Sequence, residues 1–178
     1  AYNVSWPEDT PVGTVLLSIY AAHRDLGNDS RIEYLLVLGN DSLHFAIDMS
    51  DSGNISLAKG LDREQQGLFR FVAIARNVGY PNLNTTTIIT LHVLDVNDNF
   101  PIQNAISYNA TLDERTPIGT IIIAVSAMDN DIGRNALMSF SLSNSFNNLF
   151  AIGNVSSIPG SASCVLWLNG TLNYEIVK

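Results

Sequence analysis

Apolar and polar residues alternate with a period of two along much of this chain, the pattern of strands with one buried face. Phe69, Phe71, Ala73 and Ala75 interleave with Arg70, Val72, Ile74 and Arg76, and residues 86–94 alternate again. Residues 12–21 and 31–37 are rich in β-branched and aromatic side chains, as strands require. Residues 45–48 and Asn54–Leu57 flank Ser50-Asp51-Ser52-Gly53, which reads as a hairpin turn. Helical periodicity is poor throughout. The pattern predicts about seven short strands in the first hundred residues, the number a β-sandwich needs.

The chain then repeats itself. Pro7-Glu8-Asp9-Thr10-Pro11-Val12-Gly13-Thr14 returns within Leu112-Asp113-Glu114-Arg115-Thr116-Pro117-Ile118-Gly119-Thr120, and Leu61-Asp62-Arg63-Glu64 returns as Leu172-Asn173-Tyr174-Glu175. The offsets are 114 − 8 = 106 and 175 − 64 = 111 residues. A period of that size marks an array of whole domains rather than a solenoid of small repeats. The expected boundary lies at Pro101 to Gln103, giving repeats at 1–101 and 102–178.

A length of 178 residues suffices for two small domains that each bury a core. No apolar run is longer than that at residues 121–125, which is strand-sized and far short of a membrane span. The opening Ala1-Tyr2-Asn3-Val4 has neither a basic nor an apolar leader pattern, so a secretion signal is expected to have been removed or to lie outside this stretch. A net charge of −8 argues against nucleic acid and favours cations or basic surfaces as partners. Eight Asn-X-Ser/Thr triplets begin at Asn3, Asn28, Asn40, Asn54, Asn84, Asn109, Asn154 and Asn169, where 19 Asn and 27 Ser plus Thr would produce roughly three by chance. That excess points to a secreted or cell-surface glycoprotein. The single cysteine, Cys164, excludes a disulfide framework within the chain; with Val165 and Leu166 beside it, it reads as a small buried hydrophobe, the alternative being a thiol whose disulfide partner lies outside this stretch.

Between the repeats runs Asp95-Val96-Asn97-Asp98-Asn99-Phe100-Pro101. Oxygen-bearing side chains at alternate positions face one side, and Asp98 faces the other, so the stretch can hold cations on two sides. Calcium accepts six to eight oxygens in loose geometry, which suits carboxylates and carbonyls gathered from several loops. An EF-hand is excluded, because its sixth and twelfth positions would be Phe100 and Ile106 instead of Gly and Glu.

Taken together, Pro-Glu-Asp-Thr-Pro-Val-Gly-Thr at residues 7–14, Leu-Asp-Arg-Glu at 61–64, Asp-Val-Asn-Asp-Asn-Phe-Pro at 95–101, and Asp129-Asn130-Asp131 followed by Asn135 resemble the repeats of the cadherin superfamily in order and spacing over the whole chain. Trp6 immediately precedes Pro7-Glu8, whereas strand-exchanging first repeats carry their Trp well ahead of that motif, so the resemblance is nearer to protocadherin, Fat and Dachsous-like repeats. It implies an all-β fold of two tandem seven-strand Greek-key, immunoglobulin-like sandwiches. It also implies up to three calcium ions at the junction. Glu8, Asp62, Glu64 and Asp98 would surround the first; Glu8, Glu64, Asp95, the Val96 carbonyl, Asp98 and Asp131 the second; and Asn97, the Asn99 carbonyl, Asp129, Asp131 and the Asn135 carbonyl the third. The implied protein is a calcium-dependent cell–cell adhesion ectodomain, facing a cadherin-like ectodomain, homophilic or heterophilic, and attached to the membrane through other parts of a single-pass parent. The calcium would lock the two sandwiches together. A receptor or force-bearing tether without homophilic adhesion is the alternative.

Several positions depart from the pattern. His23-Arg24-Asp25 stands where the leading end of repeat one would carry Asp-x-Asp, with Asp29 in an Asn place and Asn77 in an Asp place, so no full calcium site is expected there. Asn173 replaces Asp in the second Leu-Asp-x-Glu, while Glu114 and Glu175 would serve a following junction. The chain stops at Lys178, three residues after Glu175, so repeat two is expected to lack its last two strands and the third ion one ligand. An enzyme is the remaining class to weigh. Asp62 with Glu64, or Asp129 with Asp131, could be taken for glycosidase acids, but such pairs must flank a cleft, and His23, His44 and His92 accompany no nucleophile motif. The chain is therefore expected not to be an enzyme.

Overall fold

A computed structural model of the chain describes residues 1–23, 31–49 and 52–175. Arg24, Asp25, Asn28, Asp29, Ser50 and Asp51, singled out above, lie outside the described residues, as does the end at Lys178. The described residues form strands and turns with one 3-10 turn, Asp41–His44. No helix among them is long and apolar enough to cross a membrane. The chain divides into two compact units, Ala1–Val96 and Asn97–Lys178.

The described residues of the first unit form seven strands: β1 (Tyr2–Pro7), β2 (Val15–Ser18), β3 (Ile32–Leu36), β4 (Phe45–Ile47), β5 (Asn54–Leu57), β6 (Leu68–Asn77) and β7 (Asn84–Leu94). They make two sheets, ordered β1-β7-β6-β3 and β2-β5-β4. Six of the seven strands stand where alternation, β-branched content and the hairpin turn predict them. The seventh, β1, lies outside the stretches singled out above, although Tyr2, Val4 and Trp6 alternate with Asn3 and Ser5; it gains its ladder by lying parallel to β7 from Tyr2↔Ile89 to Pro7↔Leu94. Inward side chains from both sheets, including Leu16, Phe45, Ile55 and Leu57 on one and Tyr34, Phe69, Phe71, Ile89 and Leu91 on the other, form a single core. Ile55, Ile89 and Leu91 are fully buried, each worth about 1.5–3 kcal/mol relative to exposure. Phe45 stacks on Phe71 at 4.3 Å and meets Phe69 edge-on at 5.5 Å. Gly53 opens β5 with φ +54°, and a Cβ there would sit 2.3 Å from the Ile19 carbonyl oxygen, so only glycine fits. Trp6 packs on its own unit, its indole N–H donating to the Leu16 carbonyl at 3.2 Å.

The second unit is built on one sheet of β8 (Ile102–Gln103), β9 (Ile121–Met128), β10 (Phe150–Ile158) and β11 (Ser161–Leu168), ordered β10-β11-β9-β8. Residues 137–142, the counterpart of β3, run without a ladder, since no strand among the described residues occupies the place β6 takes beside β3. Its buried cluster is correspondingly small: Ala127, Met138 and Ala162, with Phe140 against them. Cys164 is buried and free, as a small hydrophobe would be, and burial pushes its thiol pKa up. Trp167, which alternation with Val165 predicts to be core, is instead 38% exposed. Ala162, Cys164 and Leu168 occupy the buried face of β11, and the pleat turns Trp167 to the other side.

The sequence repeat is also a repeat of hydrogen bonds. Thr14 N–H donates to Pro11 O at 3.1 Å and Thr120 N–H to Pro117 O at 3.2 Å. Gly13 N–H reaches Leu57 O at 2.8 Å, and Gly119 N–H reaches Leu168 O at 2.7 Å. Leu57 N–H returns to Thr14 O at 2.9 Å and Leu168 N–H to Thr120 O at 3.0 Å. Gly13 and Gly119 share φ near +90°, at +93° and +89°.

Candidate metal centre

In the first unit, the turn that ends β1 delivers Glu8, the segment after Leu61 delivers Asp62, Arg63 and Glu64, and the end of β7 leads into Asp95 and Val96. Parallel pairing of β1 with β7 brings Glu8 and Asp95 to the same end, and Glu8 N–H continues the ladder by donating to Leu94 O at 3.1 Å. Carboxylate oxygens of Glu8, Glu64 and Asp95 lie within 4.8 Å of one another. Like charges at that spacing repel by about 1 kcal/mol in bulk water and by several-fold more at a protein surface.

Each acid is held differently. Glu8 is 6% exposed; its Oε2 accepts Arg63 N–H at 2.7 Å and its Oε1 accepts Val96 N–H at 2.8 Å. Asp62 caps its own turn, with Oδ1 accepting Gln65 N–H at 2.9 Å and Oδ2 bonded by the Gln65 side-chain amide. Burial pushes the Glu64 carboxyl pKa above its usual value, and the charge of Glu8 adds to the rise; its own backbone N–H and Arg63 pull against it. The side chains of Arg63, Glu64 and Asp95 are only 14, 20 and 9% exposed.

The second unit carries Asn97, Asp98, Asn99, Asp129, Asp131 and Asn135. The Asn99 side-chain amide donates to Asp98 Oδ1 at 2.9 Å and to Asp131 Oδ1 at 2.7 Å. Asp131 N–H donates to Asp129 Oδ1 at 3.0 Å. Asp129 and Asp131 are 7% and 2% exposed, and among the described residues no Lys, Arg or His pairs with either. Buried carboxylates without a counter-charge are costly. All the candidate ligands offer oxygen and none sulfur or imidazole, the donor set of a hard cation such as calcium. On both counts the residues fit calcium. Asn97 is exposed and Asn135 half-buried.

Motif reading missed one participant. The Arg63 guanidinium bonds Glu64 Oε1 through Nη2, and its Nε lies 2.5 Å from Asp95 Oδ1. A cation between two acids, as in Asp62-Arg63-Glu64, was the available signal. At the other end of the first unit, Asn77 is buried and receives Gly79 and Tyr80 N–H on Oδ1 at 2.8 and 2.9 Å, while its Nδ2 is 3.2 Å from His23 Nε2. Of the sequon asparagines, Asn3, Asn40, Asn84, Asn109 and Asn169 are exposed, and Asn54 is half-buried with its Oδ1 accepting the Ser18 hydroxyl at 2.5 Å.

The cadherin domain family model matches residues 2–94. Among relatives, the Cadherin EGF LAG seven-pass G-type receptor fmi-1 of Caenorhabditis elegans is 38% identical over 144 residues, 81% of this chain and 5% of that protein. Protocadherin Fat 4 of Mus musculus is 36% identical over 152 residues, 85% of this chain and 3% of its own length. The solved extracellular cadherin domains 1–4 of Protocadherin Gamma B7 superpose with a TM-score of 0.81 at 30% identity, covering 99% of this chain and 41% of that one. The chain thus spans a twentieth or less of the length of these curated relatives. With the seven-strand, two-sheet fold of the first unit and a family model that matches more than half its residues, the chain belongs to the cadherin family.

Proposed function

We propose that this chain is part of a calcium-dependent adhesion ectodomain, two successive repeats (1–101 and 102–178) joined by Asp95 to Pro101, in which calcium stiffens the joint. The observation that carries the reading is the gathering of Glu8, Glu64 and Asp95 within 4.8 Å. These residues are followed in the chain by Asn97, Asp98 and Asn99 and matched in the second unit by the buried pair Asp129 and Asp131. Glu8, Asp62, Glu64, Asp95, the Val96 carbonyl and Asp98 would share two ions. Asn97, the Asn99 carbonyl, Asp129, Asp131 and the Asn135 carbonyl would take a third, with Asp131 also serving the second. Calcium supplies the charge that turns mutual repulsion of these acids into a cross-link. Affinities of extracellular calcium modules run around 10⁻⁴–10⁻³ M, so calcium near a millimolar would keep the joint stiff. The module does no chemistry of its own. It acts outside the cell with glycans on its exposed sequons, its parent anchored in the membrane elsewhere.

The partner would be another cadherin-like ectodomain. One solved relative, Protocadherin gammaB7 EC3-6, is described as a cis-dimer, which supports contacts between like chains. The receptor name of the relative at 38% identity favours the second reading, a receptor or tether without homophilic adhesion. Calcium titration with thermal unfolding tests the core of the proposal. A melting temperature that climbs near millimolar calcium, reverts with chelator and stays flat in Asp98→Ala is the expected result. No response to calcium in the unsubstituted chain would overturn it. Calcium-dependent aggregation of beads carrying the chain separates adhesion from the tether.

A further inference from the structure

We infer that Arg63 is an internal counter-ion of the acid cluster, a side chain that holds the calcium ligands of the first unit in the ion's absence and must release them for the ion to bind. This rests on the calcium reading above. Three carboxylates, from Glu8, Glu64 and Asp95, crowd within 4.8 Å, and one positive group is inserted among them. The guanidinium reaches Glu64 Oε1 with Nη2 and lies 2.5 Å from Asp95 Oδ1 with Nε. Its side chain is 14% exposed, so solvent screens these contacts only in part. The Arg63 main chain belongs to the same cluster, because its N–H donates to Glu8 Oε2 at 2.7 Å. The backbone contact can persist when calcium binds. The side-chain contacts compete with it directly, because Glu64 and Asp95 spend on the guanidinium the oxygens that calcium needs.

Two consequences follow. Arg63 steadies the calcium-free fold by relieving repulsion, and it lowers apparent calcium affinity, since binding must first break its pairs. A guanidinium suits the task because it is planar, always charged and can address two carboxylates at once. The chain contains its own contrast. At the corresponding place in the second Leu-x-x-Glu motif stands Tyr174, which carries no positive charge. The device therefore belongs to the first unit's motif and not to the repeat as such.

The test is calorimetric calcium binding to the 178-residue chain and to Arg63→Gln, with melting of both in chelator. Expected is a rise in calcium affinity of roughly three- to tenfold in Arg63→Gln, the scale of losing a partly buried ion pair, together with a lower melting temperature in chelator. Unchanged or weaker calcium binding by a folded Arg63→Gln would overturn the role while leaving the calcium reading intact. Absence of binding by the unsubstituted chain would overturn both. Should Arg63→Gln not fold, the Arg63 Nε–H resonance of the unsubstituted chain decides. It should shift and exchange faster with water as calcium saturates, and a resonance that ignores bound calcium would overturn the proposal.

Discussion

Glu8 Oε1 accepts the N–H of Val96 at 2.8 Å, joining the turn after the first strand to the residue that ends the first unit, 88 positions later. The other oxygen of the same carboxylate holds Arg63 N–H. A residue read from its motif as a metal ligand is therefore also a structural clamp.

Replacing Glu8 by Ala should destabilise the chain even in chelator. Two N–H groups lose their acceptor, each costing about 1–3 kcal/mol where water cannot reach. Thermal unfolding followed by circular dichroism should show a lower melting temperature without calcium and a smaller response to it. A variant that melts like the unsubstituted chain in chelator would show that the clamp contributes nothing.

Acidification should weaken calcium binding at Glu64 earlier than an ordinary carboxylate would allow. Burial and the neighbouring Glu8 raise its pKa above 4.5, so protons compete with calcium from a higher pH downward. Without calcium the sign for stability is the opposite. A carboxyl whose folded pKa is raised favours the fold fully below about 4.5, and that contribution is lost as pH rises through the folded value. Calcium isotherms between pH 7 and 5 should show affinity falling, less so in Glu64→Gln. Parallel pH profiles of the two chains would refute the assignment.

Asp41 offers the contrary case. Its pKa is depressed below 3.8, first by Arg70 N–H, at 2.7 Å from Oδ2, and then by the Gln66 amide, at 3.0 Å from Oδ1. The carboxylate therefore contributes stability above the ordinary value that is lost as pH falls through the depressed one. Asp41→Asn should cost about 1–2 kcal/mol at neutral pH, the worth of hydrogen bonds to a charged acceptor. Urea unfolding at pH 7 and at pH 2.5 should show that difference shrinking in acid. A constant difference would mean that packing rather than charge is responsible.

Much of the fold was legible because strands with one buried face declare themselves by alternation. Phe69 to Arg76 reads as most of β6 from its pattern alone, and Gly53 marks the hairpin because no other residue tolerates its backbone beside Ile19. Strand β1 alternates too, Tyr2, Val4 and Trp6 against Asn3 and Ser5, but a stretch that short ahead of Pro7 does not declare a strand whose pairing is parallel and remote. Trp167 was misread because alternation gives the parity of a strand but not which parity faces the core. The candidate ligands were legible as a motif, yet their burial was not. Glu8 and Glu114 occupy equivalent motif positions, but Glu8 is 6% exposed and Glu114 lies open to solvent.

What the sequence determined by itself is local and periodic: strand identities, the repeat near 110 residues, the turn at Pro-x-Gly-Thr, and the order of acids and amides around Asp95. These follow from side-chain size, backbone freedom and charge, all carried by neighbouring residues. Only the tertiary structure decided which distant groups meet. Parallel pairing of β1 with β7 brings Glu8 to Val96 and Asp95, and packing of the segment after Leu61 sets Arg63 among the acids. Such contacts depend on which strand finds which partner, and that is settled by burial of the whole core rather than by any one stretch of chain.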